Sequence, residues 1–174
     1  VVAVEIDEMA AGQAFENVRQ SQWRDSIEVV CSDITKYTPD EVKFDIIVCN
    51  PPFFRDSLRS PNAVRSQARH NDSLSYEKLA DTVLRLLAND GTFNLVLPFD
   101  MADTFTLIAA RRGLYMSKRT KVVTRQGVAP KRVLLSFVKQ QIVHVEEDEL
   151  VMFDSNNAET LDYISLVKDF YLKY

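Results

Sequence analysis

The apolar positions of this chain change period several times, and each change marks a new element. Val1-Val2-Ala3-Val4-Glu5-Ile6 is a nearly continuous apolar run, of the kind found in a strand buried on both faces. Asp7 then offers a helix cap, and Ala11, Ala14, Phe15 and Val18 recur at helical spacing, which predicts a helix over 8–21. Apolar runs at 27–31 and 44–49 read as two more strands. After a long polar loop, Leu79, Val83, Leu86 and Leu87 mark one face of a helix that Gly91 should stop. Residues 92–97 predict a further strand. Asp100 is placed to cap the next helix, with Met101, Phe105, Ile108 and Ala109 inward and Gly113 at its end. Residues 114–124 and 132–139 read as strands with no helix between them, joined by a turn around Gly127 and Pro130, and should pair antiparallel. A strand over 150–153 and a helix over 157–172 complete the pattern, with Phe170, Tyr171 and Tyr174 expected in the core.

Strands that alternate with helices imply an α/β fold: a mostly parallel sheet with helices on both faces, here with an antiparallel hairpin near its end. The 174 residues fit a single domain, 1–174, long enough to bury a core. Val1 opens the first strand with no turn or cap before it, and only 4 glycines occur where average usage gives about 12. The expectation is a chain truncated at its N-terminus, lacking a Gly-rich segment. No apolar run approaches the roughly 20 residues that cross a bilayer, and no export signal precedes the first strand, so a cytoplasmic protein without membrane contact is expected. Cys31 and Cys49 lie in strand patterns without partners at metal-ligand spacing; both are expected to be buried thiols, and no metal is expected.

Charge divides the chain into three parts. Residues 1–54 carry 10 acids and 4 bases, residues 55–132 carry 7 acids and 14 bases, and residues 133–174 carry 8 acids and 3 bases. Within the middle part, residues 111–132 hold eight bases and no acid. Such a stretch can attract phosphates, with Arg119, Lys121 and Arg125 as candidate nucleic-acid contacts; the alternative is a solvated face balanced by acids brought near in space. Arg65 and Arg69, in the polar loop, are further candidates for RNA contact.

The candidate chemistry sits at strand ends, where open α/β sheets place their ligands. Asn50-Pro51-Pro52-Phe53 follows the strand over 44–49. The two prolines cannot continue the ladder and hold the chain in a rigid extended path. The Asn50 side-chain carbonyl and the Pro51 backbone carbonyl are two neighbouring acceptors, which match the two N–H bonds of an exocyclic amino group. Accepting both hydrogens favours the pyramidal, nucleophilic nitrogen over the flat, delocalised one. Phe53 or Phe54 offers a ring on which a base can stack. Glu5 closes the first strand and can accept ribose hydroxyls, while Asp33 follows the second and can accept from an adenine amino group, with Ile6 and Ile34 covering the ring.

Val4-Glu5-Ile6-Asp7, Ser32-Asp33-Ile34 and Phe44-Asp45-Ile46-Ile47-Val48-Cys49-Asn50-Pro51-Pro52-Phe53 resemble, in order and spacing, the motifs of class I S-adenosylmethionine-dependent methyltransferases with an Asn-Pro-Pro-aromatic signature. More narrowly, residues 16–23, Arg65-Ser66-Gln67-Ala68-Arg69, 132–137 and 169–172 look like the bacterial tRNA(Val) adenine-N6 methyltransferases, and the likeness runs over essentially the whole chain. The resemblance implies a Rossmann-like class I fold whose first strand and Gly-rich loop are lacking here. It implies S-adenosylmethionine as cofactor, with S-adenosylhomocysteine as product, and a tRNA substrate methylated at the adenine 3′ of the anticodon, position 37. It implies Glu5, Ile6, Asp33, Ile34 and Asn50 at the cofactor, and Asn50 to Phe53 at the target base. A monomer without an obligate protein partner is expected. The alternatives are a methyltransferase acting on a ribosomal RNA or DNA adenine or on a release-factor glutamine, and a non-catalytic RNA-binding module on a decayed methyltransferase fold.

Overall fold

The computed structural model describes residues 1–40, 42–51 and 74–171. They form an α/β structure in two compact units, residues 1–42 and 43–174.

In the first unit, β1 (Val2–Glu5) and β2 (Glu28–Cys31) pair in parallel, Val2 opposite Glu28 and Glu5 opposite Cys31. The crossover between them is α1 (Glu8–Gln20). Asp7 starts this helix by accepting the amide of Ala10 at 2.8 Å, and Ala11 is its buried position. Cys31, expected to be buried, is exposed at the end of β2.

The second unit is built on a five-stranded sheet in the order β3-β4-β6-β5-β7. Its strands are β3 (Phe44–Cys49), β4 (Leu87–Pro98), β5 (Tyr115–Arg125), β6 (Arg132–Val138) and β7 (Glu146–Phe153). Only β6 runs against its neighbours: β3 and β4 are parallel, as are β5 and β7, while β6 pairs antiparallel with both β4 and β5. The hairpin expected from sequence is therefore present as β5–β6, with Gly127 at φ 77° in its turn. Alternate residues of β4 and β6, namely Phe93, Leu95, Leu97, Val133, Leu135 and Phe137, face one side and are buried. Against them pack α2 (Tyr76–Leu86), through Leu79, Ala80 and Val83, and α3 (Ala102–Ala110), through Ala102, Phe105 and Ala109.

Several boundaries differ from the sequence expectation for identifiable reasons. Helix α2 ends at Leu86, not near Gly91: Leu87 is already extended, at φ −71° and ψ 139°, and its carbonyl accepts the Lys139 ammonium at 2.7 Å. Gly91 instead lies inside β4, at a break in the β3–β4 register where Phe44 faces Leu87 and Ile46 faces Thr92. Asp100 does not cap α3; it lies in a 3-10 turn (Phe99–Met101), and the helix starts after Met101 without a side-chain cap. Gly113, at φ 90°, does end α3, where the amide of Leu114 returns to the Ala109 carbonyl at 3.0 Å. Strand β7 starts at Glu146, four residues before the expected start at 150, because its charged positions pair with the basic strand β5. The last helix, α4 (Leu161–Val167), is shorter than expected, since Thr160 supplies its cap by accepting the amide of Tyr163. Phe170 and Tyr171, expected in the core, are exposed.

A methyl group on Gly91 would lie 2.9 Å from the backbone carbonyl oxygens of both Phe44 and Asp45. Neither can move without shifting β3. Gly91→Ala should therefore destabilise the protein by about 1–3 kcal/mol, read as a lowered urea midpoint at unchanged slope; an unaltered midpoint would show that β3 can retreat.

Candidate active site at the strand ends

The expected site residues fall into two groups, one in each unit. In the first unit, β1 and β2 are parallel neighbours with Glu5 opposite Cys31, so Glu5 and Asp33 leave the same carboxyl edge. The Glu5 carboxylate is oriented by its own loop, one oxygen accepting the amide of Asp7 at 2.9 Å. Asp33 is held by a local turn: its Oδ1 accepts the Thr35 amide at 2.9 Å and the Thr35 hydroxyl at 2.8 Å. The Lys36 ammonium lies 3.8 Å from its other oxygen. Both acids and Ile34 are half-buried, and Ile6 is exposed. The donor set fits a nucleoside. Carboxylates accept from hydroxyl and amino groups, and two aliphatic side chains suit the faces of a flat ring.

In the second unit, Asn50 and Pro51 leave the carboxyl end of β3, beside the end of its parallel neighbour β4, where Cys49 faces Leu95. Pro51 is buried and Asn50 exposed. The proline thus anchors the turn while the amide side chain stays accessible, and among the described residues no hydrogen bond to the Asn50 side chain is recorded. Pro52, Phe53, Arg65 and Arg69 lie outside the described residues.

Three residues that the sequence reading left aside share this edge. Pro98 ends β4 and Phe99 follows it, and the Phe99 ring carries the Arg119 guanidinium at 5.4 Å from its centroid. Arg119 is also bonded to Asp103 at 3.1 Å. Tyr76, at the start of α2, packs edge-on against Phe105 with ring centroids 5.3 Å apart. Burial, and then the negative charge of Asp100, hold its phenol above the ordinary value, so it stays a neutral donor. The signal that points to Pro98 and Phe99 is a second strand end, Leu97-Pro98-Phe99-Asp100, in which proline again closes an apolar strand.

Cys49 adjoins Asn50, and burial pushes its thiol up to about 11. It is therefore uncharged at neutral pH and a poor nucleophile. Among the described residues, no group of three or more His, Cys, Asp or Glu side chains is placed to hold a metal ion. No described helix is long and apolar enough to cross a membrane.

Residues 1–131 match the family model UPF0020, described as RMKL-like, methyltransferase domain. The chain belongs to this methyltransferase family. Among its relatives, the tRNA1(Val) (adenine(37)-N6)-methyltransferase of Bacteroides fragilis is 46% identical over 177 residues, covering 99% of this chain and 73% of the relative. The protein of the same name from Haemophilus influenzae strain 86-028NP is 39% identical over 175 residues, covering 100% and 73%. Solved structures agree on the fold. A predicted O-methyltransferase from Agrobacterium tumefaciens superposes with a TM-score of 0.73 at 19% identity, over 97% of this chain and 76% of that one. A glycopeptide N-methyltransferase in complex with S-adenosyl-L-methionine gives a TM-score of 0.59 at 14% identity, over 80% and 72%. The Rossmann-like class I methyltransferase fold expected from the motifs is thus present.

The two thiols of this methyltransferase should react very differently. At pH 8 the exposed Cys31 should be modified rapidly by a disulfide reagent, and Cys49 about a hundredfold more slowly or not until unfolding, in proportion to its scarce thiolate. Two equal rates would contradict the burial assigned to Cys49.

Proposed function

We infer that this methyltransferase transfers a methyl group from S-adenosylmethionine to the exocyclic N6 of an adenine in tRNA, at position 37 of tRNA(Val), in the cytoplasm. The observation that supports the reading is an exposed Asn50 at a strand end, followed by a buried Pro51. The names of relatives 46% and 39% identical over nearly the whole chain support the substrate.

When bound, S-adenosylmethionine supplies an electrophilic methyl group. This chain supplies the rest. Glu5 and Asp33 are the acceptors for the ribose hydroxyls and the adenine amino group of the cofactor, and Ile6 and Ile34 cover its ring. Asn50 accepts one N–H of the target amine through its side-chain carbonyl, and the Pro51 carbonyl accepts the other, so the nitrogen lone pair is drawn out of the ring and aimed in line. Acceptors of this kind stabilise the developing charge on the nitrogen where they are held in place. Phe53 stacks on the base. Once methylated, the nitrogen carries a positive charge and releases its proton to water, which removes the need for a strong general base.

Labelled methyl groups should be incorporated into tRNA from cells lacking the activity, on the adenine next to the anticodon of tRNA(Val); label found only on protein would overturn the assignment. Asn50→Ala should lower kcat by about 10²- to 10³-fold, the usual cost of one fixed electrostatic contact, with the S-adenosylmethionine Kd nearly unchanged by calorimetry. Near-normal turnover would remove Asn50 from the reaction.

A further inference from the structure

The eight bases of residues 111–132 do not share one environment. Arg112 pairs with Asp81 at 2.8 Å, Lys118 with Glu146 at 2.6 Å and Asp148 at 3.1 Å, and Arg119 with Asp103 at 3.1 Å. Two of these partners, Asp81 and Asp103, lie on helices, and the Lys118 partners lie on β7. Strand β7 opens with four consecutive acids, and its parallel register sets Glu146, Glu147, Asp148 and Glu149 opposite Lys118, Arg119, Thr120 and Lys121. Opposite residues of adjacent strands lie only about 5 Å apart, so acids of β7 flank the bases of this stretch; Lys118 is ion-paired with two of them, whereas Lys121 only faces Glu149. The consequence is visible in their protonation. Hydrogen bonds to Glu146 and then Asp148 hold the Lys118 ammonium above its ordinary value, while Asp148 is held below its own, first by the Thr120 hydroxyl and then by Lys118. These exposed pairs add little stability, but they cancel the field that a polyanion would sense.

The acidic run ends at Glu149, whereas β5 continues to Arg125, which faces Phe153. Past that point the chain turns through Gly127 and re-enters the sheet as β6. Arg125 and Lys131 are exposed, and among the described residues neither has a carboxylate within ion-pair distance. Their position is fixed relative to the reactive edge. The amide of Phe99 donates to the Lys131 carbonyl at 3.1 Å, and Pro98 faces Arg132, so the turn is tied to the end of β4. Asn50 emerges one strand away, from β3. With strands about 4.8 Å apart and rising about 3.3 Å per residue, Lys131 lies on the order of 15 Å from Asn50.

We propose that Arg125 and Lys131, rather than Arg119 and Lys121, hold the phosphates of the RNA strand flanking the adenine presented to Asn50. The proposal rests on the reading of the protein as a tRNA methyltransferase. An adenine in a loop must leave its stack to be methylated, and the backbone on either side then has to be gripped to position it. Phosphate contacts perform that positioning without reading sequence. Acids along β7 keep the backbone from settling further out on the sheet, so the cationic pair is the first place beyond Asn50 where it can rest.

The test is tRNA binding by the full chain as a function of salt. Each lost phosphate contact lowers the slope of log K against log salt by about 0.7–0.9. The double variant Arg125→Gln with Lys131→Gln should therefore lose about 1.4–1.8 of that slope and bind tRNA about tenfold or more weakly near 0.15 M salt, with unchanged S-adenosylmethionine affinity and thermal midpoint. Lys121→Gln should leave the slope unchanged. An unchanged slope in the double variant overturns the proposal, and an equal loss in Lys121→Gln overturns its exclusion of the bases set opposite the β7 acids. The readout is separable from the parent reading: wild-type protein that binds tRNA but methylates none of it would sink the function, while the slopes would still decide which bases touch phosphate.

Discussion

The contact on which the second unit depends is the meeting of three rings, Phe93 on β4, Phe105 on α3 and Phe137 on β6. Their centroids lie 5.3–6.3 Å apart, and all three are fully buried. Aromatic residues bury large apolar areas and pack in few geometries, so this cluster fixes the pitch of α3 against the sheet. Because α3 follows β4 through the Pro98–Phe99 turn, fixing the helix also fixes the carboxyl end of β4. That end in turn flanks Asn50 on one side and anchors the β5–β6 turn on the other. The carboxyl end of β4 is thus held by the core beneath it.

Electrostatics divides the same sheet along its length. Near the amino ends of β5 and β7, bases and acids alternate across the strands and largely cancel. At the carboxyl ends the cancellation stops, and the remaining positive groups lie on the side where the asparagine is accessible. A net charge of −4 hides this arrangement completely. The sign that matters to a polyanion is local, because screening removes contributions from beyond roughly 8–10 Å at ordinary salt.

Much of the fold was legible in the residues because apolar runs of strand length alternate with helical periods, and because strand ends carry proline, asparagine and acids. The pairing of Glu5 and Asp33 at one edge follows from two parallel strands joined by a capped helix, and Asp7 announced that cap. Other features depend on partners distant in sequence. The acids at 146–149 look like a solvated loop until the basic strand beside them is known, which is why β7 begins earlier than its apolar residues indicate. Gly91 looks like a helix terminator because its real constraint, two carbonyls of β3, is more than 40 positions away. Phe170 and Tyr171 have the composition of core residues, yet α4 ends before them and they remain in solvent. The split among the bases of residues 111–132 was out of reach for the same reason: the sequence shows how many cations there are, but only register shows which are already spoken for.

The acidic outer strand has a consequence for how copies of this protein meet one another. An edge strand exposes a row of unpaired amides and carbonyls that invites another strand to add. Here β7 is such an edge, and its first four side chains are carboxylates. In an edge-to-edge approach the carboxylates of two copies would meet. Glu146 and Asp148 are already paired with Lys118, so the repulsion falls mainly on Glu147 and Glu149, for which no ion pair is found among the described residues.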